Sequence, residues 1–189
     1  MELLLSICLG LGLSAACGFR VFVPMLVMSI AANSGHLNLI PAFAWIGSPA
    51  AIVAFAVATA LEVAGYYIPW LDHFLDTLAT PAAVVAGTIV TASLVGGVSP
   101  FLKWTLAVIA GGGIAGAVQT GTVLVRGLSL AGTGGIGNPL VASVELGGSI
   151  LTSIIAVIAP FFAATLVLLL CGIVGYKLFR RLFLTARTA

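Results

Sequence analysis

LLLSICLGLGLSAACGFRVFVPMLVMSIAA, residues 3–32, is an apolar run interrupted by a single charge, Arg20. As one α-helix at 1.5 Å per residue it would be about 45 Å long, against about 30 Å for the hydrocarbon core of a bilayer. It therefore has to tilt, bend or break. Gly18, Arg20 and Pro24 lie near its middle, and Pro24 both withholds a backbone donor and crowds the preceding turn, which predicts a kinked or discontinuous helix. Met1-Glu2 ahead of the run lacks the positive region of a secretory signal, so the run reads as a retained first span.

Composition carries the same message along the whole chain. Of 189 residues 61% are hydrophobic and 6% are charged, and the mean hydropathy is +1.28. Soluble domains carry about 25% charged residues, so lipid must be the solvent for most of this surface. The expected fold is all-α: one polytopic transmembrane helix bundle over residues 1–189 with about six spans. After the first run these are Pro49–Tyr67, Pro81–Val95, Phe101–Val125, Pro139–Ala159 and Pro160–Phe179, with 183–189 as a cytoplasmic tail. Ser48-Pro49, Thr80-Pro81, Ser99-Pro100 and Asn138-Pro139 each set a capping side chain before a proline, a helix-start signature. Ala159-Pro160 leaves almost no turn, so one kinked helix from Val144 to Phe179 is the alternative there.

Between the second and third spans, Trp70 to Ala79 sets Leu71, Phe74, Leu75 and Leu78 against Asp72, His73, Asp76 and Thr77, the pattern of a short amphipathic helix lying at the interface. Lys177, Arg180, Arg181 and Arg187 crowd the C-terminus and place it in the cytoplasm by the positive-inside rule. Six spans put the N-terminus there too, with Arg126 as a cytoplasmic loop charge and Lys103 as the exception. The setting is a bacterial cytoplasmic (inner) membrane. Cys8, Cys17 and Cys171 are far apart in apolar runs and read as small buried hydrophobes, with no disulfide framework or metal spacing.

The two halves, 1–97 and 98–182, share a layout: a Gly-interrupted first span with an arginine, a loop, a Ser-Pro or Asn-Pro start, and a span holding one glutamate. Chance likeness between simple membrane helices is one explanation. The other is an inverted 3+3 repeat with broken or re-entrant helices, the architecture of many secondary transporters.

The strings Gly18-Phe19-Arg20-Val21-Phe22-Val23-Pro24, Leu61-Glu62, Tyr66-Tyr67-Ile68-Pro69-Trp70-Leu71-Asp72, Leu75-Asp76-Thr77 with Thr80-Pro81, and Thr133-Gly134-Gly135-Ile136-Gly137-Asn138-Pro139 resemble a family of small bacterial multipass membrane proteins that is defined as a domain of unknown function. The likeness spans nearly the whole chain and implies no activity, ligand or catalytic residue.

Function has to be read from the intramembrane polar groups. Arg20, Glu62 and Glu145 fall within expected spans, where each charge costs about 2.5–3.5 kcal/mol even on lenient insertion scales. One reading is a pathway in which the glutamates take a cation or proton and Arg20 is their charge partner, with Gln119 and Asn138 on the same polar seam. The bland reading is an ion pair that holds helices together. Asp72, His73 and Asp76 are expected as an interfacial gate; His73 turns about 100° from Asp72 on a helix, which weakens a metal site. Gly132 to Pro139 lacks the Lys-Ser/Thr ending of a phosphate loop and is either a cavity-lining re-entrant loop or a plain turn.

The expected function is a small transporter or channel for an ion or small solute, with no covalent step, no metal and no cofactor. A non-catalytic membrane scaffold or assembly factor is the alternative, and a lipid-modifying enzyme using Asp72, His73 and Asp76 ranks last. The expected partners are the bilayer, the solute and a second copy of the chain, and not nucleic acid.

Overall fold

The computed structural model describes the chain path over residues 1–185, with side chains throughout except at 69–73, 174, 178–179 and 181–189. Eight α-helices follow in order: α1 Glu2–Cys17, α2 Phe22–Asn33, α3 Pro49–Gly65, α4 Pro69–Leu94, α5 Pro100–Leu106, α6 Gly113–Thr133, α7 Asn138–Ile158 and α8 Pro160–Thr185. A 3₁₀ segment, Pro41–Gly47, precedes α3, and a π-helical segment, Ala107–Gly112, joins α5 to α6. Among the described residues no strand occurs.

The first apolar run breaks. Four residues, Gly18 to Val21, separate α1 from α2, and the two helices fold back on each other as a short hairpin. Gly18 permits the break because its bare Cα lies against α6: a Cβ built there would sit 2.6 Å from the Ala115 carbonyl oxygen and 2.5 Å from the Val118 Cβ. Pro24 falls in the first turn of α2, where its missing N–H costs little, and does not kink a continuous helix.

Four helical segments are long and apolar enough to cross a membrane: 74–94, 100–133, 138–158 and 160–177. The bent pair Pro41–Gly47 and Pro49–Gly65, meeting at 63°, makes a fifth when the two are counted as one broken span. The sixth expected span, the first run, is instead the α1–α2 hairpin, two helices each too short to cross.

Helix directions follow from side-chain contacts. Asn33 at the end of α2 donates to the Gly47 carbonyl just before α3 (2.8 Å), while Glu62 near the end of α3 reaches the first residues of α2, so these two helices are antiparallel. Ser14 of α1 donates to the Gly87 carbonyl of α4 (2.9 Å), and Ser149 of α7 donates to the Ala16 carbonyl (3.0 Å). Glu2, His36, Asn38, Leu94, Ile158 and Pro160 line one cavity of about 500 Å³. The start of α1, the loop after α2, the ends of α4 and α7 and the start of α8 therefore share one end of the bundle. Helix α8 leads away from it. The two ends of the chain path thus lie at opposite ends of the bundle, not on one side as an even span count required, because the first run returns to the end it came from.

Two expected boundaries move. Thr80-Pro81 starts no helix: α4 runs through it, Thr80 turns its hydroxyl back toward the Asp76 carbonyl (3.4 Å), and the amphipathic stretch is the first part of the span. Gly132 to Pro139 is a plain turn, with Gly134 and Gly135 at φ +63° and +91° closing α6 in the left-handed conformation that suits glycine at a helix end. By contrast, Ser48 and Ser99 cap as expected, accepting from the Ala51 N–H (3.2 Å) and the Leu102 N–H (3.3 Å).

The core forms where α1 meets α4, α7 and α8. Leu13, Cys17, Met28, Ala83, Val90, Ala115 and Ala156 are buried in it. Small residues bring the backbones together: Gly10 faces Thr91, Gly12 faces Ala156, and Gly87 faces Gly111. Close packing of small residues is how helices hold together when lipid supplies no hydrophobic drive. All round this core large apolar side chains point outward, among them Val53, Leu61, Ile109, Leu128, Leu151 and Leu169.

Candidate functional site

The break between α1 and α2 collects the charged groups. Glu62 is thirteen residues into α3 and Glu145 thirteen residues from the far end of α7. Each therefore lies about 20 Å from the end of the bundle marked by Glu2, at one level within the apolar layer. Asp76 of α4 and Arg126 of α6 reach the same level.

Arg126 is the hub. Its Nε donates to Glu145 Oε1 at 3.0 Å, its Nη2 donates to Glu145 Oε2, and its Nη1 donates to Asp76 Oδ1 at 2.7 Å. The fork matches the carboxylate geometry that makes arginine suited to two-point pairing. Arg20, only 2% exposed, donates through Nη2 to the Ala142 carbonyl at 2.9 Å, and the same nitrogen lies 3.5 Å from Glu145 Oε2. Tyr66, just beyond α3, carries both guanidinium groups on its ring: the Arg20 Cζ is 3.8 Å and the Arg126 Cζ 3.9 Å from its centroid. Two guanidinium groups at that height cannot share one face, so the ring stands between them and offers each cation a π-surface.

Glu62 is held differently. Its two carboxylate oxygens accept the backbone N–H groups of Val21 (2.8 Å) and Phe22 (3.1 Å). It thereby satisfies donors that the start of α2 leaves open and meets the positive end of that helix dipole. Among the described residues no ion pair reaches it. It lines instead, with Tyr66, a cavity of about 420 Å³ between α3 and α4, whose other walls are apolar. Among the described side chains, three carboxylates (Glu62, Asp76, Glu145) thus meet two guanidinium groups (Arg20, Arg126).

The expected pathway residues divide accordingly. Arg20, Glu62 and Glu145 converge. Gln119 and Asn138 are buried, each seven residues and so two turns from a member of the cluster, Gln119 from Arg126 on α6 and Asn138 from Glu145 on α7, on the same helix faces. Of the expected gate, Asp76 pairs with Arg126 in the ion cluster, its side chain 16% exposed. The side chains of Asp72 and His73 lie outside the described residues. Among the described residues no group of three or more His, Cys, Asp or Glu could hold a metal ion.

Arg126 and Tyr66 are the members that residue reading missed. Arg126 reads as a loop charge when the fourth span ends at Val125, yet α6 continues to Thr133. The signal was there: Leu128, Leu130 and Ala131 prolong the apolar run past the arginine. Tyr66 entered only as part of the Tyr66-Tyr67 string, and only the approach of Arg20 and Arg126 to its ring shows what it separates.

An all-helical chain with four or five apolar helices long enough to cross a bilayer, packed round a buried ion cluster where one apolar run breaks, fits the class of helical membrane proteins. The chain belongs to the family described as domain of unknown function (DUF4126), whose family model matches residues 7–180. No curated protein and no solved structure matches it.

Proposed function

We propose that the protein is a small membrane transporter or channel that moves an ion or small solute through a site centred on Glu62, in a bacterial cytoplasmic membrane. The observation that carries this reading is the placement of Glu62. It is a carboxylate without an ion-pair partner among the described residues, at a helix break, on the wall of a cavity of about 420 Å³. Intramembrane ionisable groups that face a cavity mark solute and proton paths, and helix breaks supply the backbone groups that such sites use. Glu145 takes a supporting part. Tied to Arg126 and close to Arg20, it steadies the wall behind Glu62.

The basic residues of α8 and the tail then place the C-terminal end in the cytoplasm. That sets Glu2, His36 and the cavity around them on the outer side, with α1–α2 as a re-entrant hairpin. The inverted 3+3 division, with the hairpin standing in for one span of the first unit, belongs to this reading and is not required by it. The closed pairing of Arg126 with Glu145 and Asp76 favours the scaffold alternative, in which the cluster only holds helices together.

Flux in liposomes separates the two. Purified protein reconstituted in liposomes is expected to pass protons, read by an entrapped pH-sensitive dye, or a radiolabelled monovalent cation, inorganic or organic, faster than empty liposomes. Glu62→Gln should lower that flux at least about tenfold, as loss of an intramembrane charge at a transport site does. Wild-type flux equal to that of empty liposomes, or full flux in Glu62→Gln, would favour the scaffold.

A further inference from the structure

We infer that the cavity between α3 and α4 takes a lipophilic monocation, an organic ammonium with an apolar body, which reaches Glu62 sideways from the bilayer. This names the substrate class for the site just described and rests on that reading for the transport step.

The position of the mouth comes first. Leu61 of α3 and Leu78 of α4 both line the cavity and are 69% and 50% exposed. Leu78 lies within the apolar stretch 74–94 that is long enough to span a bilayer. The opening between them therefore faces acyl chains, and α3 packs chiefly on α2, leaving the α3–α4 side open.

The lining then sets the chemistry. Phe22, Leu61, Leu75 and Leu78 offer carbon, and only Glu62 and Tyr66 bring polar atoms. A small inorganic cation needs about six oxygen ligands to replace its water, which one carboxylate and one phenol cannot provide. An organic ammonium carries its own apolar coat and asks only for a counter-charge. Glu62 supplies it: its oxygens accept two backbone N–H groups, which leaves acceptor capacity toward the cavity. The faces of Tyr66 are already taken by Arg20 and Arg126, so selectivity for charge falls to the carboxylate. The excess of one negative charge among the described side chains of the cluster favours a single positive charge over an anion. A volume of about 420 Å³ is within the range of small-ligand pockets.

The test compares benzyltrimethylammonium, its uncharged carbon isostere neopentylbenzene, and phenylacetate, by equilibrium dialysis against lipid nanodiscs with and without the full chain. Wild-type protein should bind the ammonium saturably and at least about tenfold more tightly than the isostere, as a desolvated counter-charge requires. Glu62→Gln should keep the isostere and lose the preference, and retained isostere binding shows that the variant is folded. Ala58→Phe, which fills the cavity, should lose both. Equal affinity for ammonium and isostere, an unchanged preference in Glu62→Gln, or tightest binding of phenylacetate would overturn the assignment. Glu62-dependent ammonium binding without any flux would remove the transport reading and leave the site. Flux that benzyltrimethylammonium neither inhibits nor shares would remove the site and leave transport standing.

Discussion

Arg126 and Glu145 are each about 5% exposed as side chains, and their forked pair is the strongest polar contact between α6 and α7. Taking two charges out of water is costly, and their mutual attraction offsets that cost only while both are present. Glu145→Ala, and Arg126→Ala likewise, should therefore destabilise the protein by about 3–5 kcal/mol, the usual cost of stranding one buried charge. The double variant should lose less than the two losses combined. Thermal unfolding in detergent, run as a double-mutant cycle, measures this; strictly additive losses would show that the two side chains do not act as a pair. Glu62, with no ion pair among the described residues, stands outside this coupling. That is the physical ground for assigning the two glutamates different work, which their similar positions in the sequence concealed.

Between elements, glycines decide how closely helices approach. A Cβ on Gly87 would lie 2.7 Å from both the Ala115 Cβ and the Gly111 carbonyl oxygen, and the latter is backbone that cannot step aside. On Gly121 a Cβ would meet nothing within 4 Å. Gly87→Ala should cost about 1–3 kcal/mol by overpacking, whereas Gly121→Ala should be neutral or slightly stabilising through helix propensity. The unfolding midpoints of the two variants in the same detergent check this, and similar losses at both positions would refute it. The contact at Gly111 and Gly112 also coincides with the π-helical segment Ala107–Gly112, so the widened turn occurs where α4 presses against the α5–α6 span.

On the scale of the whole molecule, the hairpin turns an expected even-span protein into one whose chain starts and finishes at opposite ends. In a cysteine-free background made by replacing Cys8, Cys17 and Cys171, single cysteines at Glu2 and His36 should react with an impermeant maleimide from one side of sealed vesicles. Cysteines at Thr133 and Lys177 should react only from the other. Labelling of Glu2→Cys and Lys177→Cys from the same side would remove the α1–α2 hairpin from the topology.

Much of this was legible in residue order. Apolar runs against so few charges required lipid, Ser48 and Ser99 before proline announced two helix starts, and Gly18, Arg20 and Pro24 marked a break, because each of these depends on local chemistry and on lengths measured along one helix. Arg20, Glu62 and Glu145 were legible as candidates for the same reason: a charge within an apolar run is costly wherever the run goes. The direction in which the broken run returned, the passage of α4 through Pro81, the recruitment of Arg126 and Tyr66, and the separation of a cavity-facing glutamate from an arginine-bound one were settled between helices far apart in the chain. Charges choose partners by distance in space, and a helix that folds back changes every such distance without altering any residue.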